Sequence, residues 1–304
     1  MKALILGGGS MKGAYQVGAI KAVLESGFEP DMIYGISVGA LNTTFLVHEA
    51  SRQMESDGKV NWKQAARLLM EFWIKKINSP QVVGTLRSRV SLGVNTLMSQ
   101  FEGLLDPTPL HALVQEEIDL DILKKSPVKS KVGAVNINTG EMRYVSPSDP
   151  DYMGFLFASS AIPMMMPPVR IGENGDLYVD GALREVIPVR PAFEDGATEV
   201  VIVACHAFEM YQREAFNAHN LVNLIQRIKD ITVNQNVNSD IMWARIYAER
   251  AILRGENVSV RVIRPNEPPA LDLTRFTSED ISRLIVEGYK EALEILKGSL
   301  PGKA

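Results

Sequence analysis

The chain has 304 residues, 46% hydrophobic and 22% charged, with a formal net charge of −4 at pH 7. Such a chain is long enough to bury a large core, and its slight acidity argues against nucleic acid as the main partner while leaving room for a local patch against a membrane. Cys205 is the only cysteine, so an intrachain disulfide is excluded and a reducing compartment fits.

Residues 3–6 read as a first strand. That apolar run is too short for the core of a secretory signal, and no stretch approaches the roughly 20 apolar residues of a spanning helix. A cytoplasmic protein is expected, with any membrane contact peripheral. The loop Gly7-Gly8-Gly9-Ser10-Met11-Lys12-Gly13 follows. A helix is then expected over about 14–26, with Tyr15, Val17, Ala19, Ile20, Val23 and Leu24 as apolar positions and Gly27 as its stop. A strand at 30–34 leads into Gly35-Ile36-Ser37-Val38-Gly39, and a helix starts near residue 40. Strand, glycine loop, helix, strand, tight turn, helix predicts an α/β fold with a parallel sheet.

Residues 61–127 read as a mainly helical insertion beside the sheet. Trp62, Ala65, Ala66, Leu69, Phe72 and Trp73 fall at helical spacing, and 110–123 forms another helical stretch. No clear pattern emerges over 85–104. A hairpin is expected from 131–136 and 142–146 around Asn138-Thr139-Gly140. A helix at 152–160 stops before Pro163, and a second strand pair lies at 168–171 and 177–179. Then come a buried strand at 199–205, a long helix at 221–253, a strand at 258–263 and a closing helix at 278–297. The C-terminal region, about 218–304, is thus mostly helical. No linker divides the chain, so one domain over 1–304 is expected.

Ser37, between strand and helix and flanked by Gly35 and Gly39, has the setting of a nucleophile elbow. The sharp turn exposes the hydroxyl, and the glycines spare it collisions with strand and helix. A helix amino terminus behind the serine favours developing negative charge. Acyl transfer is the chemistry indicated. A base is then required, and the histidines are His48, His111, His206 and His219. His206 and His219 fall late enough in the chain, but neither sits in a recognisable motif and each reads as a structural or surface histidine; the elbow also comes too early for the α/β-hydrolase order of strands. Asp180, in Leu177-Tyr178-Val179-Asp180-Gly181-Ala182, ends an apolar strand and is the better candidate, with a plain Asp-Gly turn as the alternative. The first loop offers backbone N–H groups to an anion. It matches neither G-x-G-x-x-G nor a P-loop, because Lys12 stands where the third glycine would and Gly13 is followed by Ala14-Tyr15. Lys12 either supports the oxyanion site or is an ordinary solvated lysine. Phe155, Leu156, Phe157 and Met164-Met165-Met166-Pro167-Pro168 supply an acyl pocket or simply pack the core. Trp62, Phe72 and Trp73 likewise form a lid or ordinary helix packing.

Gly8-Gly9-Ser10-Met11-Lys12-Gly13, the elbow, and Asp180-Gly181-Ala182, in that order, resemble the patatin-like phospholipase family. So do Gly13-Ala14-Tyr15-Gln16-Val17-Gly18 and Ala158-Ser159-Ser160-Ala161-Ile162-Pro163. The likeness covers roughly residues 3–205. It implies a three-layer α/β fold with a mainly parallel central sheet flanked by helices. It also implies a serine–aspartate dyad without histidine, with Ser37 as nucleophile and Asp180 as general base. The N–H groups of Gly8, Gly9 and Ser10 would form the oxyanion hole, supported by Lys12 and Gly13. Ser10 stands where the family often has a third glycine. The implied reaction is hydrolysis of carboxylic esters of phospholipids or other acyl lipids, with no cofactor and no metal. A soluble ester or thioester substrate, or a catalytically silent lipid-binding module, are the alternatives. Headgroup, acyl position and oligomeric state are left open.

Overall fold

The two faces of the first strand, β1 (Lys2–Leu6), look into two separate apolar clusters: Leu4 and Leu6 join one, Ala3 and Ile5 the other, as the two-residue repeat of a strand demands. The computed structural model describes residues 1–88, 102–210, 219, 221–269, 271 and 273–298. After β1 come α1 (Gly13–Glu25), β2 (Met32–Ile36), α2 (Val38–Asp57), α3 (Trp62–Lys76), α4 (Pro80–Val83), β3 (Thr85–Leu86), β4 (Leu105–Asp106), α5 (Thr108–Glu117) and α6 (Leu120–Leu123). The second half comprises β5 (Lys129–Asn136), β6 (Met142–Val145), α7 (Tyr152–Ser160), β7 (Val169–Ile171), β8 (Asp176–Asp180), α8 (Val189–Glu194), β9 (Glu199–Val203), α9 (Leu221–Leu253), β10 (Ser259–Ile263) and α10 (Ser278–Leu296).

The main sheet has the order β10-β9-β1-β2-β5-β8-β7, with β6 also on β5. From β10 through β5 every pairing is parallel, and β6, β8 and β7 add antiparallel pairings. Helices α1, α2, α3, α7 and α10 cover one face and α8 and α9 the other, which gives the three layers that the family resemblance implies.

Three local readings are adjusted. The helix after the elbow starts at Val38, directly behind Ser37, and runs to Asp57, where Gly58 ends it at φ 68°. The stretch 110–123 is two helices, because Asp119 interrupts it and caps the second by accepting from the N–H groups of Asp121 and Ile122. Within 85–104, Thr85–Leu86 pairs antiparallel with Leu105–Asp106, while residues 89–101 lie outside the described residues.

Helices α1 and α10 meet backbone to backbone. A Cβ on Gly18 would lie 1.9 Å from the Ile285 carbonyl oxygen, and one on Gly288 2.0 Å from that of Tyr15. Helix propensity alone would make Gly18→Ala stabilising by about 1 kcal/mol. The missing space instead predicts a loss of roughly 1–3 kcal/mol, read as a lowered thermal midpoint; a raised midpoint would contradict this packing.

Candidate active site

The elbow leaves its serine little freedom. Ser37 has φ 57° and ψ −127°, and the turn around it has no room for side chains at either glycine. A Cβ on Gly35 would lie 2.2 Å from the Gly39 carbonyl oxygen, and one on Gly39 2.1 Å from that of Leu6. The Ser37 N–H donates to Ser159 Oγ (2.9 Å) on α7, and its carbonyl accepts from Ala40 N–H (2.9 Å).

Strand register explains how Asp180 reaches it. Along β5, Gly133 is paired with Ile36 of β2 and Ala134 with Asp180 of β8, while β6 occupies the opposite edge of the same residues. β2 and β8 therefore share one edge of β5 and arrive from opposite directions, so their carboxyl ends meet. The Ser37 hydroxyl donates to Asp180 Oδ2 at 2.8 Å, and the Ala182 N–H donates to Oδ1 at 2.8 Å. Both residues are only 4% exposed. Burial pushes the Asp180 carboxyl up to about 6, against the opposing pull of these two hydrogen bonds. Gly181 packs where a Cβ would meet the Gly133 carbonyl at 2.7 Å.

The glycine loop faces the same point, with one change to the expected trio of donors. Gly8 N–H is already given to the Val186 carbonyl (3.1 Å), whereas those of Gly9 and Ser10 are given to no other group among the described residues. Gly8 instead supplies closeness, its Cβ position lying 3.2 Å from Ser37 Cβ. Ser10 takes φ 53°, a left-handed conformation that glycine adopts freely and serine at modest cost. Gly13 opens α1 against Val38 and Trp73. Lys12 lines the cleft, and burial lowers its pKa, offset in part by the Asp230 carboxylate.

Ser37 stands between two spaces. On one side is an apolar cavity of about 80 Å³ bounded by residues such as Met11, Leu41, Phe72, Trp73, Leu156 and Met166. On the other is a mixed cleft of about 580 Å³ that includes Asp180, Lys12, Met165 and residues of α9. Phe155 is core, and Phe157 stacks on His111. His48 accepts from Asp119 N–H, and His219 is exposed. His206 forms part of the cleft wall, where burial drives its pKa well down. No histidine bonds to Ser37 or Asp180 among the described residues.

Two supports were not read from the sequence. Gln16 Nε2 donates to the carbonyls of Gly7 (3.0 Å) and Val203 (2.9 Å), Asn42 Nδ2 donates to Gln16 Oε1, and Trp73 Nε1 donates to Asn42 Oδ1. This buried chain locks α1, α2 and α3 to the ends of β1 and β9. The signal available in the sequence was a lone glutamine, Gln16, inside the apolar run 14–20, since a polar side chain on a buried helix must find partners. The second is Asp240 of α9. Its Oδ2 accepts from the N–H groups of Val186 (2.8 Å) and Ile187 (3.0 Å), so it holds the segment whose carbonyl receives Gly8.

A serine on a strained strand–helix turn, with an aspartate rather than a histidine beside it in a three-layer sheet, has the architecture of an α/β serine hydrolase. Residues 4–193 match the family model for patatin-like phospholipase. That is most of the chain, and the protein belongs to this family, whose activity class is lipid acyl hydrolysis. Among solved structures it is similar to VipD from Legionella pneumophila, at 15% identity and TM-score 0.45 over 98% of this chain and 67% of that one. It is also similar to ExoU of Pseudomonas aeruginosa in the heterodimeric ExoU–SpcU complex of the type III secretion system, at 14% identity and TM-score 0.36 over 99% and 52%. The chain thus spans about two thirds of the first and half of the second. No curated protein sequence matches it significantly.

Asp240→Ala removes the acceptor of two N–H groups and should lower stability by roughly 1–3 kcal/mol. If Val186 positions the loop, kcat for a short ester falls about tenfold with KM unchanged, and Asp240→Asn, which keeps an acceptor oxygen, restores it. An unaltered kcat in the alanine variant would remove Asp240 from any positioning role.

Proposed function

We propose that the chain hydrolyses carboxylic esters of phospholipids or related acyl lipids through an acyl-enzyme on Ser37, with Asp180 as general base. The observation that carries this reading is the 2.8 Å hydrogen bond from the Ser37 hydroxyl to Asp180 Oδ2 at the junction of an apolar cavity and a polar cleft. As Ser37 Oγ attacks the acyl carbonyl, its proton passes to Asp180. Raised to about 6, this carboxylate is a stronger base than a free one and is still largely ionised at neutral pH. The N–H groups of Gly9 and Ser10 meet the developing oxyanion, with Lys12 adding positive potential. Asp180 returns the proton to the departing alcohol. It then takes one from water, which attacks the acyl-enzyme, and the acid is released as Ser37 is restored.

The cavity suits the acyl chain and the cleft the alcohol portion. With about 80 Å³, the cavity admits only a few carbons, and a longer chain must displace the flexible thioethers of Met11 and Met166. That small size favours, as a second reading, hydrolysis of short-chain soluble esters.

A fluorophosphonate probe should label Ser37 in the native protein, fail on Ser37→Ala and label Asp180→Asn weakly. Hydrolysis of lipid micelles should fall by about 100-fold or more in both variants; substantial turnover by folded Ser37→Ala would sink the assignment. The base must be ionised, so kcat/KM should rise with pH through an apparent pKa near 6 and lose that limb in Asp180→Asn. A profile flat from pH 5 to 8 would assign the base elsewhere.

A further inference from the structure

The apolar cavity beside Ser37 is walled by helix faces. Val38, Leu41 and Phe45 of α2 line it, as do Leu110, Val114 and, just past its end, Ile118 of α5. Spacings of three and four residues put each set on one side of its helix, and each row spans roughly 11 Å. A volume of about 80 Å³ spread over that length makes the space a narrow slot. Beyond Ser10 and Ser37 at its catalytic end, the polar side chains of the wall are engaged elsewhere. Asn42 bonds to Gln16 and Trp73, and Thr44 Oγ1 to the Ala40 carbonyl and the Tyr152 hydroxyl (both 2.8 Å). Ser160 Oγ donates to the Phe157 carbonyl (3.0 Å), and Glu117 pairs with Lys76 (2.9 Å). The slot therefore presents hydrocarbon and suits an unbranched alkyl group.

Helix α2 fixes where the slot ends. It starts directly after Ser37 and continues to Asp57, yet Phe45 is its last residue on the wall. Phe45 lies eight residues, about 12 Å, along the helix from Ser37. There its ring packs on that of Phe72 of α3, with centroids 5.0 Å apart. The row beside α5 stops at the same level. Asp119, which follows Ile118, donates its N–H to His48 Nε2 (3.2 Å), one turn of α2 beyond Phe45. Met11 and Met166 flank the slot with flexible thioethers that yield to a ligand. Two aromatic rings packed across helices have few rotamers to move into.

We infer that Phe45 and Phe72 form the end wall of the acyl site and set the longest acyl chain that Ser37 transfers efficiently. This rests on the acyl-ester reading of the site and narrows it to short- and medium-chain acyl groups. Carbon–carbon bonds near 1.5 Å advance an extended chain by roughly 1.3 Å per carbon. About 12 Å therefore holds at most about nine carbons. A longer chain leaves its remaining methylenes in water or forces the rings apart, and neither adds to transition-state binding.

The test compares p-nitrophenyl esters from acetate to palmitate, dispersed in detergent and read as kcat/KM, on the full chain and on Phe72→Ala, Phe45→Leu and Phe45→Trp. Wild type should improve with length up to about octanoate and lose at least about tenfold from there to palmitate. Each methylene that finds a buried place is worth about fourfold. Phe72→Ala and Phe45→Leu should therefore raise the laurate-to-butyrate ratio by about tenfold or more. Phe45→Trp should lower the octanoate-to-butyrate ratio by about the same factor. Each ratio compares two substrates on one protein, so partial unfolding cancels, and loss of stability alone cannot shift two variants of one residue in opposite directions. The same chain-length profile in all four proteins, or a wild type that cleaves palmitate as well as octanoate, overturns the end wall. Absence of Ser37-dependent hydrolysis of every ester defeats the hydrolase reading itself, and the chain-length assignment falls with it.

Discussion

Ser37 occupies a backbone conformation that an L-residue reaches only at a cost of order 1–3 kcal/mol, and its neighbours exist to hold it there. β1 and β2 run side by side in parallel, α2 leaves β2 without a spacer, and Gly39 lies almost in contact with the last carbonyl of β1. Relaxing the turn would push α2 into β1. The Ser159 hydroxyl, arriving on a different helix, takes the Ser37 N–H and removes one more way out. A serine held in this way points its hydroxyl in one direction, so the position of everything else in the site is set relative to it.

The partner carboxylate owes its place to a change of strand. β5 carries β2 on one stretch of its edge and β8 on the next, in opposite orientations. Two chain segments more than 140 residues apart therefore end at the same spot. Burial there makes the carboxylate more basic, while the Ala182 N–H keeps it oriented. The buried Gln16–Asn42–Trp73 chain stiffens the opposite wall of the site. Each of its polar atoms has a partner, which is the condition under which a buried polar network specifies structure rather than weakening it.

The family match ends at residue 193, yet the cleft is incomplete without the C-terminal third of the chain. Helix α9 walls the polar side, anchors through Asp240 the segment behind Gly8, and holds the chain at Ala207–Phe208 through Asn234 and Asn238. It packs by one face on the sheet. The two spaces that meet at Ser37 differ in character, one apolar and the other mixed.

Elements and motifs were legible wherever local rules govern them. The strand–loop–helix opening, the elbow and the Asn138-Thr139-Gly140 hairpin all rest on glycine and turn chemistry that short windows contain. Boundaries moved where a cap or a tertiary contact decided, as at Val38 and Asp119. Backbone sterics and two-residue alternation act between near neighbours, so short windows of the chain sufficed for the α/β class, the strained serine and the carboxylate at a strand end. The end-to-end meeting of β2 and β8, the gift of the Gly8 N–H to Val186 and the place of α9 in the cleft wall emerge with the folded chain. Those depend on register and on packing between residues far apart in the chain, which no local pattern encodes.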